Sequence, residues 1–305
     1  MTSWPWMKGV TVAIADPIEP ITEFDDRPAV KELIVKYRKP IDAVKKGLED
    51  DPLYDQSKHD DLWILRFCLS HKKKKAKIAL EAAKETLAFR EKYALDEEDI
   101  REFPPVGKSG EHHPRAAAFI KYRSCCSDDA IYFGIPHPQR GVLGFLHVAG
   151  IDQLKAVETV TEEEWLPAFM YISEWTHQWL DYITRTTGRL TKSVRIANAD
   201  GIALSGLNME HEKRNGKAMG VMEDCYPQLL QGIYLCNAPS WIQVVWRLVR
   251  PLLPKRVIEK IDIMSPQKNK KELKRCFKHI SEEDLPERFG GQNRTWPVYF
   301  PTPAL

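Results

Sequence analysis

From residue 59 to residue 100, apolar side chains return every three or four positions, the period of a helix with one buried face. Leu62, Leu65, Arg66 and Leu69 form the first such stripe, and Ile78, Leu80, Ala83, Leu87 and Phe89 continue it after a polar turn at 70–75. Ala, Lys and Glu, all good helix formers, fill the positions between. The pattern predicts a helical hairpin followed by a short acidic helix over 96–101. Phe103-Pro104-Pro105-Val106-Gly107 then interrupts the periodicity and marks a boundary near residue 105.

Beyond that boundary the texture changes. Short apolar runs at 131–133, 142–148, 194–197, 233–236 and 260–264 have the length of buried strands rather than helices. A long helix falls between the second and third runs. Thr161 with Glu164 reads as its capping box, and it carries Leu166, Phe169, Ile172, Trp175, Trp179, Leu180 and Ile183. A further helix spans 209–224. The predicted organisation is an irregular arm over 1–55, a helical lead-in over 56–104, an α/β domain over 105–298 and a tail over 299–305. The arm is rich in Pro, Asp and Glu, has one short helix near 29–37, and is expected to pack on the body through Trp4 and Trp6.

Composition removes several function classes. The net charge of +2 argues neither for nucleic acid nor for an acidic tail. The six cysteines show no metal-ligand spacing, so buried thiols in a reducing compartment are expected. The start lacks a basic stretch ahead of an apolar one, and no window reaches ~18 uninterrupted apolar residues. A cytoplasmic protein with peripheral membrane contact is expected. Val106-Gly107-Lys108-Ser109 lacks the first glycine and the preceding strand of a phosphate-binding loop, and there is no Gly-x-Ser-x-Gly elbow. Neighbours such as His112-His113 and Cys125-Cys126 point to opposite faces of a strand and do not converge on a metal. His147 reads as a hydrogen-bonded core histidine, and Asp200 as a turn residue with no partner base. Lys72–Lys75 reads as a solvated turn, or as a patch for an anionic surface.

The stretch 226–291 combines an apolar strand, an aromatic helix and interleaved cations. Trp241, Val245, Trp246, Val249, Leu252 and Leu253 alternate with Arg247, Arg250, Lys255, Arg256 and Lys260. That mixture suits a surface meeting both a core and an anionic interface. Other short signatures surround it: Leu65-Arg66-Phe67 and Phe89-Arg90-Glu91-Lys92-Tyr93, then Asp200-Gly201-Ile202-Ala203-Leu204. Tyr226-Pro227, Asn237-Ala238-Pro239 and the closing Leu285-Pro286-Glu287-Arg288-Phe289-Gly290-Gly291 complete the series. In this order and spacing, across roughly 55–298, they resemble the CRAL-TRIO family of lipid-binding and lipid-transfer proteins.

The resemblance implies a small helical domain, then a mostly parallel sheet with helices. The sheet would floor a lipid cavity closed by a mobile gate helix from Pro239 to about Leu253. The cavity and gate would draw on Phe145, His147, Phe169, Ile172, Trp175, Trp179, Ile196, Leu235, Trp241, Val245, Trp246, Val249 and Leu252. Gln228 and Lys260 stand at headgroup positions, and Arg247, Arg250 and Arg256 would touch an anionic membrane. The phosphatidylinositol-transferring branch resembles RFLRAR in its first helix and has an acid after Tyr-Pro. This chain has Arg66-Phe67-Cys68-Leu69-Ser70-His71 and Gln228 there, and Pro138-Gln139-Arg140-Gly141 replaces the usual D-x-x-G-R-P turn. The expected function is a non-enzymatic, monomeric carrier of a hydrophobic ligand with no resident cofactor. The alternatives are an adaptor whose cavity is filled by Trp side chains, a haem or similar group bound through His147 or Tyr122, and an enzyme using His147 or Asp200.

Overall fold

Among the described residues, five strands lie in one sheet in the order in which the chain makes them. The structure, a computed structural model, describes residues 12–21, 25–71, 76–105, 113–135, 139–264, 280–283, 285–289 and 291–294. β1 (Ile131–Gly134) runs antiparallel to β2 (Leu143–His147), whereas β2, β3 (Ser193–Asn198), β4 (Leu230–Cys236) and β5 (Ile261–Ile263) are parallel. Each parallel step needs a crossover, and crossovers are right-handed almost without exception. Because the strand order advances one way, that rule sends successive crossovers to the same face. They are α6 (Gln153–Thr159) with α7 (Glu162–Thr187), then α8 (Met209–Cys225), then α9 (Ile242–Val249) with α10 (Lys255–Ile258). The opposite face is covered by Met264 and the closing segment, where Ile280, Leu285 and Phe289 pack on Phe145, Val194 and Ile196.

Ahead of the sheet, α1 (Val30–Lys36), α2 (Arg38–Leu48), α3 (Asp61–Ser70) and α4 (Ala76–Lys92) share a core of their own, followed by the short α5 (Ala117–Arg123). The hairpin is where its periodicity predicts it. The short helix expected near 29–37 is α1, whereas residues 38–48 depart from the predicted irregular arm and form α2, with Ile41, Val44 and Leu48 buried on one face. Pro40 sits in the first turn of α2, where a missing N–H costs nothing because that turn has no acceptor to give it. The predicted acidic helix at 96–101 is instead a turn. Its carboxylates are engaged by side chains: Asp96 accepts from Arg90 and Asp99 from Arg101. Trp4, Trp6, Lys72–Lys75, His112 and the 299–305 tail lie outside the described residues. The described part of the arm runs along the end of α7, with the Ala15 amide donating to the Arg185 carbonyl (2.9 Å) and the Ile18 amide to that of Thr187 (2.9 Å).

α7 is the shared beam of the molecule. Its capping box forms, with the Glu164 amide donating to Thr161 Oγ1 and the Thr161 amide to Glu164 Oε2. Three buried arginines fix the helical unit to it. Arg90 donates to both oxygens of Glu174 (3.1 and 3.2 Å), Arg66 to Asp181 (3.3 Å), and Arg185 of α7 reaches back to Asp60 (2.7 Å). Only the Arg90–Glu174 pair is buried at both ends, and breaking such a pair from one side costs roughly 3–5 kcal/mol. The two bodies are therefore held in one relation by charge as well as by packing.

Candidate functional site

A pocket opens between the helix face of the sheet and the helices above it. It is a narrow cleft open to solvent, with a cavity volume of about 40 Å³. Phe169 and Ser173 of α7, Met219, Met222 and Glu223 of α8, Leu230 and Ile233 of β4, and Val257 of α10 line it, with Tyr226 and Leu229 from the intervening turn. The walls are mainly apolar, and the two methionines are flexible enough to adapt to an occupant. Glu223 is held by Lys260, whose Nζ donates to both of its carboxylate oxygens at 2.8 Å. Tyr226 donates to Glu174 (2.9 Å), which ties this wall to the Arg90 pair.

One cation reaches into the pocket from the sheet. Arg195 lies on β3 in register with Gly144 and Ile233, and its guanidinium is 6.0 Å from the ring centroid of Phe133. Gly144 makes room for that ring: a Cβ there would stand 2.7 Å from Phe133, against an ordinary 3.4 Å from Cγ of Arg195. Burial alone pulls the Arg195 guanidinium below its ordinary value. Arg195 is half-buried, the one partly exposed position of an otherwise buried strand.

The predicted gate segment forms only in part as an α-helix. α9 is followed by a 3₁₀ turn at Arg250–Leu252 and then by α10, because Pro251 and Pro254 cannot continue a helical ladder. Ile242, Val245 and Val249 are buried, at i, i+3 and i+7, and Trp241, Trp246 and Leu252 are half-buried. The outer face carries Val244 (51% exposed) and Leu248 (56% exposed) beside exposed Arg247 and Arg250. Gly216 of α8 lets the segment seat closely, since a Cβ there would collide with the Leu252 carbonyl. Arg256, by contrast, is ion-paired with Asp224.

The single cavity predicted from sequence is divided between two faces of the sheet. Phe145 and Ile196 are paired across β2 and β3 and lie under Phe289 and Met264, with His147 two residues along on the same side. Leu235 has the opposite parity, in register with Ala197, and belongs to the helix face. Phe145, His147 and Ile196 therefore do not meet Phe169. Trp175 and Trp179 are wholly buried in the core, not in the pocket. The Trp175 indole N–H donates to the Arg101 carbonyl (3.2 Å), and the Arg101 guanidinium lies over the Trp179 ring (5.4 Å). Ile172 packs at the edge of that core. Gln228 adopts φ +64 and donates to Ser70 Oγ (3.0 Å), closing a neutral contact between the turn and α3. Tyr122 is buried with its hydroxyl 3.0 Å from His211 Nε2. Asp200 is exposed at a turn.

This arrangement, a helical lead-in pinned to a sheet whose helix face holds an apolar pocket, has known counterparts. The profile of the CRAL/TRIO domain matches residues 140–291. The SEC14 cytosolic factors of Kluyveromyces lactis and Eremothecium gossypii are 34% and 32% identical over 77 residues, 25% of this chain and 24% of theirs. The phosphatidylinositol/phosphatidylcholine transfer protein SFH12 of Arabidopsis thaliana is 24% identical over 265 residues, 83% of this chain and 43% of its own length. The chain thus spans less than half the length of these curated relatives. The crystal structure of Sfh5 matches with a TM-score of 0.53 at 14% identity over 90% of each chain, a likeness of fold. Residues 140–291 are a CRAL/TRIO domain, and the chain belongs to this lipid-binding family.

Proposed function

We propose that this protein is a carrier that draws a hydrophobic ligand, a phospholipid or a lipid of similar size, from one membrane and releases it at another. The observation that carries the reading is the position of α9. Its inner face is buried, while its outer face offers Val244 and Leu248 between Arg247 and Arg250. Such a face lowers its free energy at an anionic bilayer, each basic residue contributing about 1 kcal/mol near the surface. Acyl chain gains ~0.8 kcal/mol per CH₂ against water but almost nothing against bilayer. A pocket therefore needs only to match the membrane interior and to open at its surface. Movement of the 239–253 segment is the opening step, and no catalytic step is assigned. The protein is taken to act as a monomer in the cytoplasm, in transient contact with the membrane.

An adaptor reading draws on a different observation, the packing of Trp175 and Trp179 into the core, which leaves less room for a ligand. One experiment separates the two. Purified protein is incubated with donor vesicles carrying a fluorescent phospholipid and with acceptor vesicles, and bound lipid is identified by native mass spectrometry. Transfer above the spontaneous rate with lipid on the protein supports the carrier. Neither bound lipid nor transfer would leave the adaptor.

A further inference from the structure

We propose that Arg195 is the anchor for an anionic group, a carboxylate or phosphate, on the ligand that enters the helix-side pocket. This rests on the lipid-carrier reading and narrows the ligand to an amphiphile whose anionic end meets the sheet at β3.

Among the described residues, the fully buried arginines are answered. Arg66, Arg90, Arg101 and Arg185 each face a carboxylate, and Arg123 donates to the carbonyls of Ser127 and Asp128. Arg195 has no hydrogen-bond or ion-pair partner among the described residues. The pocket's own acid, Glu223, has both oxygens occupied by Lys260. The Phe133 ring takes one side of the guanidinium, and apolar side chains supply most of the remaining wall. A half-buried cation beside an apolar wall, with no carboxylate facing it, is open to pairing with an anion. A ligand oxygen anion supplies that partner. The planar guanidinium suits carboxylate and phosphate alike, since both accept its paired N–H groups. Ser173, which also lines the pocket, adds a hydroxyl to the same space. Met219 and Met222 give the apolar part of the ligand an adaptable bed.

The test compares the full-length protein with Arg195→Leu and Arg195→Lys. Each is incubated with vesicles of phosphatidylcholine containing oleic acid, phosphatidic acid or diacylglycerol, and retained lipid is quantified by native mass spectrometry. A separate arm uses inorganic phosphate without lipid. The wild type is expected to retain oleate or phosphatidic acid in preference to diacylglycerol and phosphatidylcholine. Arg195→Leu should lower that retention on the order of ten- to a hundredfold, the range of a charge-assisted contact, with neutral-lipid retention unchanged. Arg195→Lys should recover part of it. Which of oleate and phosphatidic acid prevails identifies the anion as carboxylate or phosphate. Equal, Arg195-dependent binding of free phosphate would overturn the lipid source of the anion. The ligand-free Arg195→Leu protein should also melt no lower than wild type, because it loses an unanswered charge. A lower melting temperature would make the arginine structural and end the proposal. Lipid retention indifferent to position 195 would refute the anchor while leaving the carrier standing; no lipid retained by any variant would refute the carrier itself.

Discussion

Glu174 is the place where one substitution should tell most about how the two bodies are joined. It is buried in α7 and accepts from Arg90, from Tyr226 (2.9 Å) and from Gln178 (3.0 Å). Glu174→Leu keeps similar bulk but leaves a buried guanidinium with only the more exposed Asp96 to answer it. Breaking a buried pair from one side costs roughly 3–5 kcal/mol. For 305 residues the unfolding entropy is about 0.6 kcal/mol per kelvin, so the melting temperature should fall by roughly 5–8 °C. Arg90→Met should cost a similar amount. The double variant removes both charges together and should be less destabilised than Glu174→Leu alone, with a coupling of at least ~1 kcal/mol. Scanning calorimetry and urea midpoints on the four proteins measure this directly. Additive losses, or a shift of under ~2 °C for Glu174→Leu, would show that the pair does not hold the helical unit to α7.

The pocket-side and surface features give further expectations. Val244→Asp with Leu248→Asp should leave the melting temperature nearly unchanged, since both side chains are exposed, yet weaken binding to anionic vesicles. Losing about 1 kcal/mol at each site is roughly thirtyfold together, read by co-sedimentation. Arg247→Gln with Arg250→Gln should weaken it by a similar factor at low salt, and the difference should shrink as salt is raised. Burial and the neighbouring Arg90 hold the His177 imidazole down at about 4 against an ordinary 6.5. Its folded value is the lower one, so the unfolded chain takes up the proton first. Stability from this group is complete above pH 6.5 and is lost as pH falls toward 4, by about 3 kcal/mol in full. Urea midpoints at pH 7, 5.5 and 4.5 should fall less in His177→Phe than in wild type. Gly216→Ala should push the Arg250–Leu252 turn off α8, which limited proteolysis would register as faster cleavage near 250–254.

Strand positions, the hairpin and the capping box were readable because each rests on local periodicity or on a short-range side-chain bond. The signature residues were readable as a set, but their work was not. Arg66, Arg90 and Tyr226 read as family letters, and the structure shows them meeting Asp181 and Glu174 across more than fifty residues of chain. The residues expected around one cavity fall on two faces because parity along a strand is legible while the face that each parity meets is not. Phe145 and Leu235 both look like floor residues, yet the fixed handedness of the crossovers puts helices over only one of them. Pro40 hid α2, since a proline reads as a breaker until its place in the first turn is known. Arg195 was passed over because an isolated charge in an apolar run carries no periodic signal.

The segment that includes α9 and α10 joins two strands lying side by side, about 4.8 Å apart. Its two ends are stitched down, by Asn237 to Asn198 at one and by Lys260 to Glu223 at the other. Between those stitches run residues 237–260, a tether whose midpoint can reach on the order of 40 Å if each half is drawn out. No strand has to leave its neighbours for that excursion, and the backbone ladder of the sheet is the same before and after. Opening of the proposed gate would thus cost only the contacts beneath one strap, and the sheet would keep its shape while the strap moved.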